Sequence, residues 1–162
     1  MVLIFGLGNQ GDKYQKTRHN FGHILIEKLL EKDLFTNDVL LKINTGFMNK
    51  SGISFKKIVS YYKIKSSDIL IIHDDMDFNF GEIKLDYNRS SAGHNGVQSV
   101  IDNLGSQEFY RLRLGIGKSE TLPGEKYVLE RFNQTEVEEI NNIIDKAIDL
   151  LVKSDLLNDK IK

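Results

Sequence analysis

A chain of 162 residues with 22 Lys and Arg against 23 Asp and Glu carries a formal charge of −1. That length suits one domain with a real core, and the charge gives no global pull on nucleic acid, so any such binding needs a local basic patch. Cysteine is absent, which excludes thiol nucleophiles, disulfides and thiolate metal sites and leaves the chemistry to His, carboxylate, hydroxyl and amide groups. No basic leader and no run near ~18 apolar residues is present, so neither signal peptide nor membrane span is expected, and a monomer in the cytoplasm is the default.

The apolar run Val2-Leu3-Ile4-Phe5-Gly6 predicts a first strand over 2–6, covered on both faces. It leads into Gly6-x-Gly8-x-x-Gly11, the spacing of a dinucleotide-binding fingerprint. That fingerprint needs glycines that turn directly into a helix, whose free N–H groups then cradle a pyrophosphate. Here the polar stretch Asp12-Lys13-Tyr14-Gln15-Lys16 intervenes, and helical spacing begins only around Phe21, continuing through Ile24, Leu25 and Leu29. The acid due about 20 positions on falls on Glu27, Glu31 or Asp33, within or at the end of that helix. The nucleotide reading therefore fails, and a first helix is predicted at 20–32.

Next, 39–43 admits a strand, 53–63 reads as a helix, and Ile69-Leu70-Ile71-Ile72-His73 is a second continuous apolar strand. Segments 82–87 and 109–116 alternate as strands do, with a helix at 95–104 between them. Glu120-Thr121-Leu122-Pro123-Gly124 reads as a surface loop. A last helix opens on the capping box Thr135-Glu136-Val137-Glu138 and carries Val137, Ile140, Ile144, Ala147 and Leu151 on one stripe. Strands alternating with helices predict an α/β sandwich of one domain over 1–162.

Functional sites in such sheets lie beyond the carboxyl ends of strands. Polar residues collect there. Asn9, Tyr14 and Thr17-Arg18-His19-Asn20 follow the first strand, Asp74, Asp75 and Asp77 follow strand 69–73, and Gly93-His94-Asn95-Gly96 follows strand 82–87. A fourth cluster, Gly46-Phe47-Met48-Asn49, precedes the second helix. His19, near a helix start, is favoured as the neutral imidazole that a general base requires, though a lone histidine there also reads as a solvent contact. Asp74 could accept from one ring nitrogen and turn the other toward water. The same acids with His73 admit a Mg²⁺ phosphoesterase or simply a solvated turn. Asn95 reads either as a helix N-cap or as a donor to a carbonyl or phosphate oxygen, and Asn9 and Asn49 fit amide recognition. Arg111 and Arg113 share one face of a strand, where they would clamp a phosphate or face water, and only the family resemblance described next makes solvation the stronger expectation for Arg111.

Together, Gly6-Leu7-Gly8-Asn9-x-Gly11-x-x-Tyr14-x-x-Thr17-Arg18-His19-Asn20-x-Gly22, Phe47-Met48-Asn49-x-Ser51-Gly52, His73-Asp74-Asp75-x-Asp77, Gly93-His94-Asn95-Gly96 and Arg111-Leu112-Arg113-x-Gly115-Ile116-Gly117 resemble the bacterial peptidyl-tRNA hydrolases. The five motifs run in the right order over nearly the whole chain. The resemblance implies an α/β fold with a mixed sheet sandwiched by helices, and an activity that cleaves the ester between peptide and tRNA without cofactor or metal. His19 would then activate water, Asp74 would stabilise its proton-accepting form, and Asn9 would hold the peptide. Asn49 and Asn95 would place the ester and its water, and Tyr14 and Phe47 would line the pocket for the terminal nucleotide of the tRNA acceptor end. Lys84 and Arg113 would clamp tRNA phosphate, and His94 would support rather than act as a second base.

The sequence departs from the family pattern in several places. Gln10 replaces a usual proline, which should loosen the loop carrying Asn9. Asp86 stands two residues after Lys84, where some relatives carry a base, weakening the clamp. Ser91 and Ala92 replace part of a glycine-rich approach to Gly93 and should stiffen it. The segment 33–46 is short, so a hairpin at the sheet edge is expected to be lost. Besides the hydrolase, a non-catalytic RNA-binding relative of this fold and a metal-dependent phosphoesterase remain open.

Overall fold

Five strands form one sheet in the computed structural model, which describes Met1–Lys162. They are β1 Val2–Gly6, β2 Val39–Ile43, β3 Ile69–Asp75, β4 Ile83–Tyr87 and β5 Tyr110–Gly115, ordered β2-β1-β3-β5-β4. All pairings are parallel except β4 with β5, so the sheet is mixed as expected. The helices are α1 Phe21–Lys32, α2 Ser51–Tyr62, α3 Asn95–Leu104, the short α4 Gly124–Tyr127, and α5 Gln134–Val152.

The two-residue period of the strands divides the core in two. Ile4, Leu70, Ile72 and Leu112 point to one face, where α1 brings Phe21, Leu25 and Leu29 and α5 brings Ile144, Ala147 and Leu151. Leu3, Phe5, Ile69 and Ile71 point to the other, against Phe55 of α2 and Val97 and Val100 of α3. β1 and β3 are thus buried throughout, which is why both read as unbroken apolar runs.

The glycines that mimic a nucleotide fingerprint serve this packing. A Cβ on Gly6 would lie 2.5 Å from the Gly22 carbonyl oxygen, and one on Gly22 would lie 2.4 Å from that of Ile72. Backbone therefore meets backbone where α1 crosses the sheet. Gly11, at φ 121, takes a conformation that side chains resist, and it starts the polar loop that delays the helix.

Boundaries shift for local reasons. α2 begins at Ser51, ahead of the predicted 53, because a 3₁₀ turn at Met48–Lys50 feeds into it and the Ser51 hydroxyl donates to the Met48 carbonyl at 2.6 Å. The capping box of α5 is Asn133 with Glu136, not Thr135 with Glu138. The Asn133 side chain accepts from the Glu136 N–H, and the Glu136 carboxylate accepts from the Asn133 N–H. Asn-x-x-Glu satisfies the same donors two residues earlier. The predicted loop ends one residue sooner than expected, since Pro123 is the N-cap of α4. β2 pairs only with β1, and its outer edge carries no strand, in keeping with the short 33–46 segment.

Candidate active site

The loop after β1 is held by amides. Asn44 accepts from the Gly8 N–H and donates to the Gly8 carbonyl, both at 2.8 Å. Asn20 does the same for Asn9, at 2.8 and 2.9 Å. The Asn9 side chain accepts from the Met48 N–H at 2.7 Å, which fixes its orientation and leaves its NH₂ without a protein partner. Gln10 does not loosen this loop. Its N–H donates to the Gly46 carbonyl at 2.9 Å and its side-chain oxygen accepts from the Gly46 N–H at 2.8 Å, so it replaces proline's stiffness with two bonds to the Phe47 turn. Tyr14 and Phe47 meet edge to face with ring centres 6.4 Å apart, and Phe47 is 56% exposed at the rim.

His19 sits in a 3₁₀ turn, Arg18–Asn20, just before α1. Its Nδ1 lies 2.9 Å from the Asp74 carboxylate at the end of β3. A carboxylate accepts, so Nδ1–H donates; in the neutral ring this tautomer leaves the lone pair on Nε2, which has no protein partner. His94 approaches the same carboxylate, with Nε2 2.8 Å from Oδ1. Its Nδ1 accepts from the N–H groups of Gly96 and Val97, so Nε2 carries the proton. His94, not Asn95, is therefore the N-cap of α3, which frees the exposed Asn95 side chain. Burial favours the neutral form of Asp74, but its electrostatic attraction to and hydrogen bonds from the His19 and His94 rings outweigh it and hold the carboxyl well below its usual range.

Beneath them, His73 donates from Nδ1 to the Asp74 carbonyl at 2.7 Å. Burial first, then the neighbouring His94 and Arg111, push it well below the ordinary imidazole value, so it stays neutral. These groups line a cleft of about 400 Å³ with Asn95, while Asn49 and Asn95 line an adjoining hollow.

The three acids do not converge on one point. Asp75 accepts from Arg113 and from the Asp77 N–H, and Asp77 pairs with Lys118 at 3.0 Å. The donor set with metal-like spacing is instead His19, Asp74 and His94, whose ligand atoms lie within 4.8 Å of one another and are already joined by hydrogen bonds.

The expected phosphate clamp is altered. Lys84 and Arg113 stand opposite each other in register. Arg113, however, is buried, giving Nε to Asp75 at 2.8 Å and Nη1 to Asp86 at 2.7 Å. Lys84 points its half-exposed ammonium within 3.9 Å of the same Asp86. Asp86 thus pairs with both members of the expected clamp, closely with Arg113 and at longer range with Lys84. Arg111, expected in solvent, is 2% exposed because the loop after β4 covers it, and Nη2 donates to the Ser90 carbonyl at 2.7 Å. Burial and its neighbours Arg113 and Arg89 push its pKa down to about 10.

Sequence reasoning passed over Asn44 and gave Met48 no role. Asn20 stood in a visible cluster beside His19, whereas Asn44 has no signal, since its partner lies 36 residues away in sequence.

An imidazole with a free nitrogen, oriented by a buried carboxylate and ringed by neutral amides at the strand ends of an α/β sheet, defines the class as a hydrolase. The sequence model of the peptidyl-tRNA hydrolase family matches residues 3–161, and the chain belongs to that family. It is 39% identical to the peptidyl-tRNA hydrolase of Mycoplasma capricolum, over 98% of this chain and 92% of that one. With that of Bacillus cereus it shares 38% over 92% and 90% of the two chains. The crystal structure of peptidyl-tRNA hydrolase from Acinetobacter baumannii matches with a TM-score of 0.81 at 30% identity, covering 94% of this chain and 87% of that one. The Mycoplasma alignment runs over 181 positions, so that relative carries insertions this chain lacks.

Proposed function

We propose that this chain hydrolyses the ester between the peptide carboxyl and the terminal ribose of peptidyl-tRNA, by direct attack of water. The observation that carries this reading is the His19–Asp74 pair, which commits Nδ1 and leaves Nε2 without a protein partner in the cleft, placed to take a proton. Water gives a proton to that nitrogen as its oxygen attacks the ester carbonyl. The imidazolium so formed is stabilised by Asp74, which is already ionised. The tetrahedral oxyanion meets neutral amide donors, assigned to Asn49 and Asn95. Collapse expels the ribose oxygen, which recovers the proton from His19.

Asn9 holds the peptide, because its acceptor is taken by Met48 and only its NH₂ remains to offer. A free aminoacyl group presents a cation there instead of an amide carbonyl and is passed over. Tyr14 and Phe47 receive the terminal nucleotide, and His94 positions Asp74. Lys84 supplies a phosphate contact, with Arg113 acting behind it by holding Asp86. The family resemblance and the absence of a Gly-x-Ser-x-Gly elbow favour water over a covalent acyl-enzyme. The reading takes the chain as a cytoplasmic monomer; no helix is long and apolar enough to cross a membrane.

The test is release of peptide from an N-blocked aminoacyl-tRNA in the presence of chelator, beside the unblocked ester. Cleavage of the blocked ester alone is expected, and His19→Ala should abolish it while tRNA binding persists. Cleavage by His19→Ala at the wild-type rate refutes the role given to His19. Activity that needs Mg²⁺ refutes the metal-free mechanism.

A further inference from the structure

Charge is distributed unevenly in this nearly neutral chain. Between Val39 and Ser67 there are six lysines, at 42, 50, 56, 57, 63 and 65, and no Asp or Glu. Taking these six from 22 basic residues leaves 16 against 23 acids elsewhere. All six are exposed, and none forms a salt bridge, whereas Lys84, Arg89 and Arg113 on and beside β4 and β5 are paired with Asp75 or Asp86 and Arg111 is buried.

The segment folds as β2, whose outer edge is open, followed by α2. Between them runs a groove of about 720 Å³ lined by Lys42, Lys50, Lys57, Ile53, Tyr61 and Tyr62. Tyr61 is 79% exposed, and its ring meets that of Tyr62 edge to face at 4.8 Å. Lys50 and Ile53 also line the hollow that holds Asn49 and Asn95, so the groove is continuous with the candidate active site.

We propose that this lysine-rich groove binds the phosphodiester backbone of the tRNA beyond its acceptor end, with Tyr61 offering a face to an unpaired base. The inference rests on the peptidyl-tRNA reading and extends it to where the body of the substrate lies. Unpaired lysines interleaved with exposed aromatic rings suit a polyanion with π-faces, and each phosphate they neutralise releases counterions. A loss of cationic grip on the β4–β5 face is offset here, at an edge left bare by the short 33–46 segment.

The test compares wild type, the triple variant Lys42→Gln/Lys50→Gln/Lys57→Gln, and a control triple on α1 and α5 (Lys28→Gln/Lys32→Gln/Lys146→Gln). The readout is binding of deacylated tRNA by fluorescence anisotropy across a salt series. The groove variant should bind at least tenfold more weakly, with a log Kd against log salt slope reduced by about two, at roughly 0.7–0.9 for each phosphate no longer neutralised. The control should keep the wild-type slope. Equal slopes in all three overturn the proposal, as does a groove variant that holds tRNA normally but turns over long-peptide substrates poorly, which would give the groove to the peptide. Because deacylated tRNA is the probe, weakened binding in the groove variant supports the site even if wild type fails to cleave peptidyl-tRNA, in which case only the hydrolase reading falls.

Discussion

Asp74 accepts from two imidazoles that differ in what their other nitrogen does. His19 keeps Nε2 free, so Asp74→Asn, which offers an NH₂ to Nδ1 and stabilises the wrong tautomer, should lower kcat by about 10³–10⁴-fold. Single-turnover cleavage of blocked aminoacyl-tRNA measures this, and a loss confined to KM would contradict it. His94 is different, because both of its nitrogens are committed, one to Asp74 and one to the amides that start α3. Taking up a proton at Nδ1 would turn an acceptor against two donors. Only one proton should therefore be in flight, and the rate should fall linearly with deuterium fraction in mixed H₂O and D₂O; a bowed plot would mean a relay through His94.

Between elements, a buried tie joins Arg18 to Glu136, 118 residues apart. Arg18 donates to Glu136 through Nε at 3.1 Å and Nη2 at 2.9 Å, and stacks over Tyr127, joining the His19 turn to the cap of α5. Removing one partner of a buried pair strands the other, so Glu136→Gln should cost about 3 kcal/mol in denaturant unfolding. A loss under 1 kcal/mol would show that the pair is well solvated. The existence and order of the main elements were legible, since continuous runs at 2–6 and 69–73 and the stripe from Val137 to Leu151 carry strong periods. So were His19, Asp74 and the asparagines, gathered at strand ends. Caps were not, because Asn133 and Thr135 both suit the role and only the fold chooses. Burial of Arg111 was equally hidden, since alternation assigns it a face but not what covers that face.

At the scale of the whole molecule, two buried histidines make folding sensitive to acid. His23 is lowered by burial, partly opposed by its hydrogen bond to Asn44, and His73 is lowered further. Their folded pKa values lie below the unfolded value of about 6.5, so below that pH the unfolded chain binds protons that the folded one refuses. Stability should be full above about pH 6.5 and fall as pH drops toward the folded values, by up to about 2.7 kcal/mol per pH unit if both contribute fully. Ring NMR should find both imidazoles still neutral when the pH has passed below 6.5; either one titrating at its ordinary value would contradict its burial. The separation of charge has a consequence of another kind. A body with almost no net charge lacks the long reach that would draw any RNA from a distance. What it has is a dipole, whose pull is short and orienting, so encounters are decided by which way the molecule is turned. Such a protein should bind RNA only weakly away from its groove, which leaves it free to sample the rare molecule whose far end fits the cleft.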